Sequence, residues 1–150
     1  MKTLSNPDDA AEIRTRLLAL TADDTAQWGV MSVTQMLCHL RVTYLYALSP
    51  DPIEHIPLSV SPKVAKFVAL RSPLRWPKNL PTPPEFKIGS ASMATTTFAE
   101  DHASLIEAFD RFCATGSLTK GHPYFTTMVH EDWTQWGYLH ADHHLLQFGR

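Results

Sequence analysis

At 150 residues the chain is long enough for one domain with its own hydrophobic core and too short to expect two. Hydrophobic residues make up 44% of it, which excludes wholesale disorder. A net charge of −2, with Lys and Arg scattered in no basic run, removes any electrostatic case for nucleic acid or an anionic membrane as partner.

The first helix is signalled by Asn6, a good cap, followed by Pro7, whose ring presets the first helical turn. Asp8, Asp9 and Glu12 sit near the positive helix end, and Ala10, Ile13, Leu17 and Leu20 recur at helical spacing. The second opens on a capping box, Ser32 with Gln35, carries the stripe Val33, Met36, Leu37, Leu40 and Tyr44, and stops near Ser49-Pro50. Nine of the eleven prolines then fall between Pro50 and Pro84. A short helix fits from Ser61 to Arg71, but the run from Trp76 to Pro84 can be neither helix nor central strand. So long a connection in a small domain is expected to cover something or to be functional.

A third long helix follows the capping box Thr97/Glu100, buries Leu105, Ile106, Phe109, Phe112 and Cys113, and is expected to stop at Gly116. The last runs from about Glu131 to Phe148, with Gly149 at its end and only Val129 or His130 as cap. Strand signals are weak throughout. The fold expected is a single all-α domain over residues 1–150, a helical bundle with one long proline-rich crossover. Cys38 and Cys113 form no C-x-x-C, the start MKTLSNPDDA lacks the apolar core of a signal peptide, and no apolar stretch approaches the roughly 20 residues of a membrane span. We read a soluble cytoplasmic protein whose thiols are reduced core residues.

Three of the eight histidines fall in His140-Ala141-Asp142-His143-His144. His140 and His144, four apart on a helix, place two imidazoles on one face about 6 Å apart, within reach of one metal. A third ligand must come from elsewhere, and His39 sits in the middle of the second helix, where an inward polar side chain needs a reason. A core histidine can equally be bonded to a carbonyl or carboxylate. His143 could replace His144, which would turn the site by about 100° around the helix. His102, in register with Leu105 and Phe109, is either an auxiliary ligand or general base, or a half-exposed first-turn residue. Asp142 points away from the His140/His144 face. Trp133 and Trp136 either wall a pocket or fill the core, and His122-Pro123-Tyr124-Phe125 reads as a structural turn. Cys38 points about 100° away from its neighbour His39, so the two form no catalytic pair. No G-x-S-x-G, P-loop or G-x-G-x-x-G occurs.

Three stretches resemble the DUF1569 branch of the DinB/YfiT-like superfamily. They are Trp28 through His39, then His122-Pro123-Tyr124-Phe125, and then Glu131-Asp132-Trp133 running into His140 through Gly149. The similarity runs from near residue 28 to the end and is loosest in the crossover. It implies a four-helix bundle, often dimeric, with a metal triad of one histidine on the second helix and an H-x-x-x-H pair on the last. Those positions match His39, His140 and His144; Val129 departs, standing where a Ser or Thr cap is more usual.

Three neutral imidazoles leave a divalent metal its full charge and an open position, the pattern of a catalytic rather than a closed structural site. Zinc and nickel both suit imidazole. The resemblance implies a metal-dependent transferase that activates a low-molecular-weight thiol for attack on a small-molecule electrophile. Amide hydrolysis could use the same site. The other class is a non-catalytic, stress-linked homodimer that binds metal or a small ligand. An opening beside the metal favours the enzyme; a closed site favours the binder.

Overall fold

Capping chemistry sets the helix starts in the computed structural model, which describes residues 1–51, 53–80, 86 and 90–150. Helix α1 spans Pro7–Leu18, its first amides held by the Asn6 side chain at 2.9 and 3.2 Å. Helices α2 (Val33–Leu48) and α4 (Phe98–Ala114) each begin with a reciprocal box, Ser32/Gln35 and Thr97/Glu100. Helix α3 (Pro62–Arg71) lies between them in the crossover. Helix α5 (His130–Gln147) starts at Val129, which has no acceptor to offer. Only the return half of a box exists there, the Val129 N–H donating to Asp132 Oδ2 at 3.3 Å.

All regular structure among the described residues is helical, with one 3-10 turn at Ala91–Met93 and a lone bridge between His122 and Thr126. None of the helices is long and apolar enough to cross a membrane. One terminus differs from expectation. Helix α4 ends on extended Thr115, whose N–H donates to Phe112 O and whose hydroxyl donates to Arg111 O. Those bonds use the last carbonyls, so Gly116 needs no left-handed turn and has none. Gly149 does turn left-handed (φ 74°), and Arg150 N–H reaches back to Leu145 O at 2.9 Å, closing α5.

Helix α2 packs chiefly on α4, α4 on α1, α1 on α5 and α5 back on α2, so these four close a ring around the core. Tyr44, Phe109, Phe112 and Met36 fill it, and the buried Tyr44 hydroxyl donates to Gly137 O at 3.1 Å. Helix α5 is also covered by α3 and has almost no solvent face. Its polar residues must therefore find partners inside the protein.

Gly137 shows how tight this packing is. A Cβ there would stand 2.9 Å from Phe112 Cε1 and 3.0 Å from Leu4 Cδ1. Gly137→Ala gains helix propensity of under about 1 kcal/mol, but overpacking two buried side chains costs about 1–3. Net destabilisation by about 1 kcal/mol is expected, read from the urea midpoint.

Asp132 fastens α3 to α5. Its carboxylate, 7% exposed, takes Lys66 Nζ at 2.9 Å and Arg71 Nη2 at 3.1 Å. Both cations keep partial access to water, so stranding them costs less than breaking a fully buried pair. Asp132→Ala is expected to lose about 1–3 kcal/mol of stability and to raise hydrogen exchange in α3 while α2 and α4 stay protected.

Candidate metal centre

His39 comes from the middle of α2, and His140 and His144 from successive turns of α5. All three are buried, at 4%, 7% and 8% exposure. One ring nitrogen from each lies within 4.8 Å of the other two, and the Nε2 atoms of His39 and His140 are 3.1 Å apart. Two nitrogens bound tetrahedrally to one zinc stand about 3.3 Å apart, so the pair is already near ligand spacing.

The hydrogen-bond network assigns the tautomers. Gln147 donates its amide N–H to Trp28 O at 2.8 Å, which leaves Oε1 to face His144 Nδ1 at 2.9 Å. That oxygen can only accept, so Nδ1 carries the proton and Nε2 has the lone pair. The Thr43 hydroxyl donates to Leu40 O, so its oxygen is left for a long 3.5 Å contact from His140 Nδ1–H. Among the described residues His39 Nδ1 has no partner within hydrogen-bond limits, while the main chain of Phe86 favours a proton on that ring. With the outer nitrogens of His140 and His144 holding the protons, their Nε2 lone pairs face the gap that His39 Nε2 shares. That arrangement suits a cation.

Burial pushes His39 down to about 4. Burial first, then the neighbouring imidazoles, hold His140 and His144 well below the ordinary histidine value. All three are therefore neutral near pH 7, the form that binds metal. The residues present fit a divalent ion that prefers nitrogen ligands.

The triad lies in the wall of a cavity of about 770 Å³. Its other walls come from the α1–α2 linker (Trp28, Met31), α3 (Val64, Val68), the proline-rich crossover (Trp76, Phe86) and α5 (Trp133, Trp136). Trp136 stacks on His140 with ring centres 4.4 Å apart, and Trp76 lies against His140 and His143. So long and proline-rich a connection was expected to cover something, and its described part covers this cavity.

The remaining candidates separate from the triad. His143 lines the cavity edge-on to Trp28 but points outside the three-nitrogen group. His102 stacks on Phe98 and bonds Leu17 O at 2.9 Å, tying α4 to the end of α1; it neither lines the cavity nor approaches the triad. Asp142 pairs with Arg16 at 2.7 Å on the opposite side of α5. Cys38 is buried with Sγ 3.5 Å from Ala94 O, and burial pushes the Cys113 thiol up to about 12. Trp133 and Trp136 are both core and cavity wall, with the Trp133 indole N–H donating to Lys120 O.

His122 was expected to be structural, yet it also lines the cavity. It is 7% exposed and stacked on Phe125 at 4.3 Å. The sequence signal was a polar ring set among aromatics immediately before the most buried helix. Comparison of the chain with protein-family models, curated proteins and solved structures finds no match in any of the three.

Proposed function

We propose that this chain is a divalent-metal-binding protein of DinB/YfiT type, a four-helix bundle holding zinc or nickel on His39, His140 and His144, and that it acts as a metal-dependent transferase on a small molecule. The observation that carries this reading is the set of three buried, neutral imidazoles, the two on α5 with their outer nitrogens tied off, whose inner nitrogens converge on a cavity wall. The resemblance of the second and last helices to DUF1569 proteins supports the same ligand set. A cavity opening beside the ligands favours turnover over a closed binding site.

When bound, the metal would lower the pKa of a thiol or polarise a carbonyl. The chain's own part is to orient and to exclude water. Gln147 and Thr43 fix the two α5 rings, and the tryptophan walls keep the chamber apolar. Among the described lining residues there is no carboxylate, so amide hydrolysis finds no carboxylate base there. The apolar walls favour a second reading, in which the cavity binds a small ligand without turnover.

The test loads purified protein by dialysis against zinc or nickel, counts bound metal and follows melting. Free metal at 100 times its Kd should raise the melting temperature by about 5–10 °C. Glutathione, cysteine or 2-mercaptoethanol with 1-chloro-2,4-dinitrobenzene then reports thiol transfer with and without chelator. No metal uptake would sink the metal centre. Metal uptake with no chelator-sensitive turnover would leave the binding reading. The resemblance also implies a homodimer, which light scattering measures.

A further inference from the structure

Across Trp136 from the triad, the cavity holds a second polar group with no stated task. His122 sits in an aromatic cage, 4.3 Å from the Phe125 ring and 5.6 Å from both Trp133 and Trp136. The Tyr124 N–H donates to its Nδ1 at 3.2 Å. Nδ1 therefore carries the lone pair, and the proton of the neutral ring is on Nε2. Among the described residues that N–H has no hydrogen-bond partner, and the residue opens onto the cavity. A buried donor left without an acceptor is costly, so such a group is normally satisfied by water or a ligand.

The other walls restrict what that ligand is. They are mostly indole, phenyl, valine and leucine side chains, with Thr43, Tyr46, Asn79, Tyr124 and Gln147 as scattered neutral polar groups, Arg75 as the cationic residue and no acidic residue among those described. A cationic ligand would find no counter-charge, and a sugar-like ligand would leave most of its hydroxyls unpaired.

We propose that the cavity binds a neutral or anionic apolar molecule, aromatic or alicyclic, that carries an acceptor oxygen, and that His122 Nε2–H donates to that oxygen. This rests on reading the cavity as the ligand chamber, but not on the metal. The triad and His122 are then two polar anchors either side of Trp136. One holds the reacting end and the other fixes the orientation of the apolar body.

The probes are 2-acetylnaphthalene and its oxygen-free isostere 2-ethylnaphthalene, titrated into zinc-free and zinc-loaded full-length protein. All four tryptophans line the cavity, so quenching of intrinsic fluorescence reads occupancy directly. The ketone should bind about tenfold tighter than the isostere, the share of one buried hydrogen bond. His122→Asn keeps an acceptor for the Tyr124 N–H and loses the Nε2 donor, and it should erase the preference. His122→Gln places an amide N–H near the Nε2 position and should restore it. Equal binding of the two probes by wild type, binding of neither, or a preference that survives His122→Asn would overturn the proposal. The wild-type comparison needs no variant to fold, and the zinc-free arm separates this result from the fate of the metal centre.

Discussion

Replacing His140 with alanine is expected to weaken zinc binding by more than about 100-fold and to abolish the zinc-dependent rise in melting temperature. The reasoning is graded. Residues that only orient a metal ligand typically account for 10–100-fold in affinity, so loss of a ligand must exceed that range. His140 is the ligand nearest another, with its Nε2 3.1 Å from that of His39. Gln147→Leu should fall inside the 10–100-fold range with all three ligands intact, because it frees the His144 ring to turn and to place its proton on either nitrogen. His143→Ala should leave zinc affinity unchanged, since His143 stands outside the group. Competition with a chromophoric chelator measures all three. Equal affinity in His140→Ala and wild type would end the metal reading, and loss of binding in His143→Ala would shift the site around the helix.

Metal-free protein is expected to lose stability steeply as the pH falls below neutrality. His39 and His122 are held by burial at about 4 and about 3, and His140 and His144 well below their ordinary value. The sign follows from where the proton goes. Below the unfolded-state value near 6.5 the unfolded chain takes up protons that these folded rings refuse, so acid favours unfolding. The stabilisation is complete above pH 6.5 and is lost progressively toward about 4 for His39 and about 3 for His122. At pH 5.5 each such ring has forfeited on the order of 1 kcal/mol, several in all, a large share of a domain's stability. Urea midpoints at pH 7.5 and 5.5 measure this, and His122→Asn should flatten the dependence by one ring's share. A midpoint that holds or rises on acidification would contradict it.

The helix starts were legible because a cap is a local bargain between a side chain and two or three amides. Asn6, Ser32 and Thr97 each make the bonds their sequences promise. The α4 terminus was not legible, since whether Gly116 turns left-handed depends on what else can satisfy the last carbonyls, and Thr115 does so. Helix α5 was legible from the row Trp133, Trp136, Gly137, His140, His144 and Phe148 and from Gly149 at its end, but its burial on nearly every side was not. The spacing of His140 and His144 placed two rings on one face, the middle of the second helix offered His39 as the third, and the structure brings the three together. His102 could not be sorted from sequence, because its partner, the Leu17 carbonyl, lies on a helix far along the chain. His122 was missed for a related reason. Its neighbours in sequence make a turn, whereas its cavity face is supplied by α5 and by crossover residues far along the chain.

Gln147 joins two things that are usually independent. One end of its amide meets His144; the other holds the Trp28 carbonyl, while its own carbonyl takes the Gln27 N–H at 2.8 Å. Trp28 is also cavity wall. Occupancy of the triad and occupancy of the cavity therefore share one mechanical element, and any free energy that passes between them must be symmetric. A ligand that presses Trp28 into place would tighten the grip on an ion by the same factor that the ion tightens the grip on the ligand. Affinities measured for either alone would then understate both.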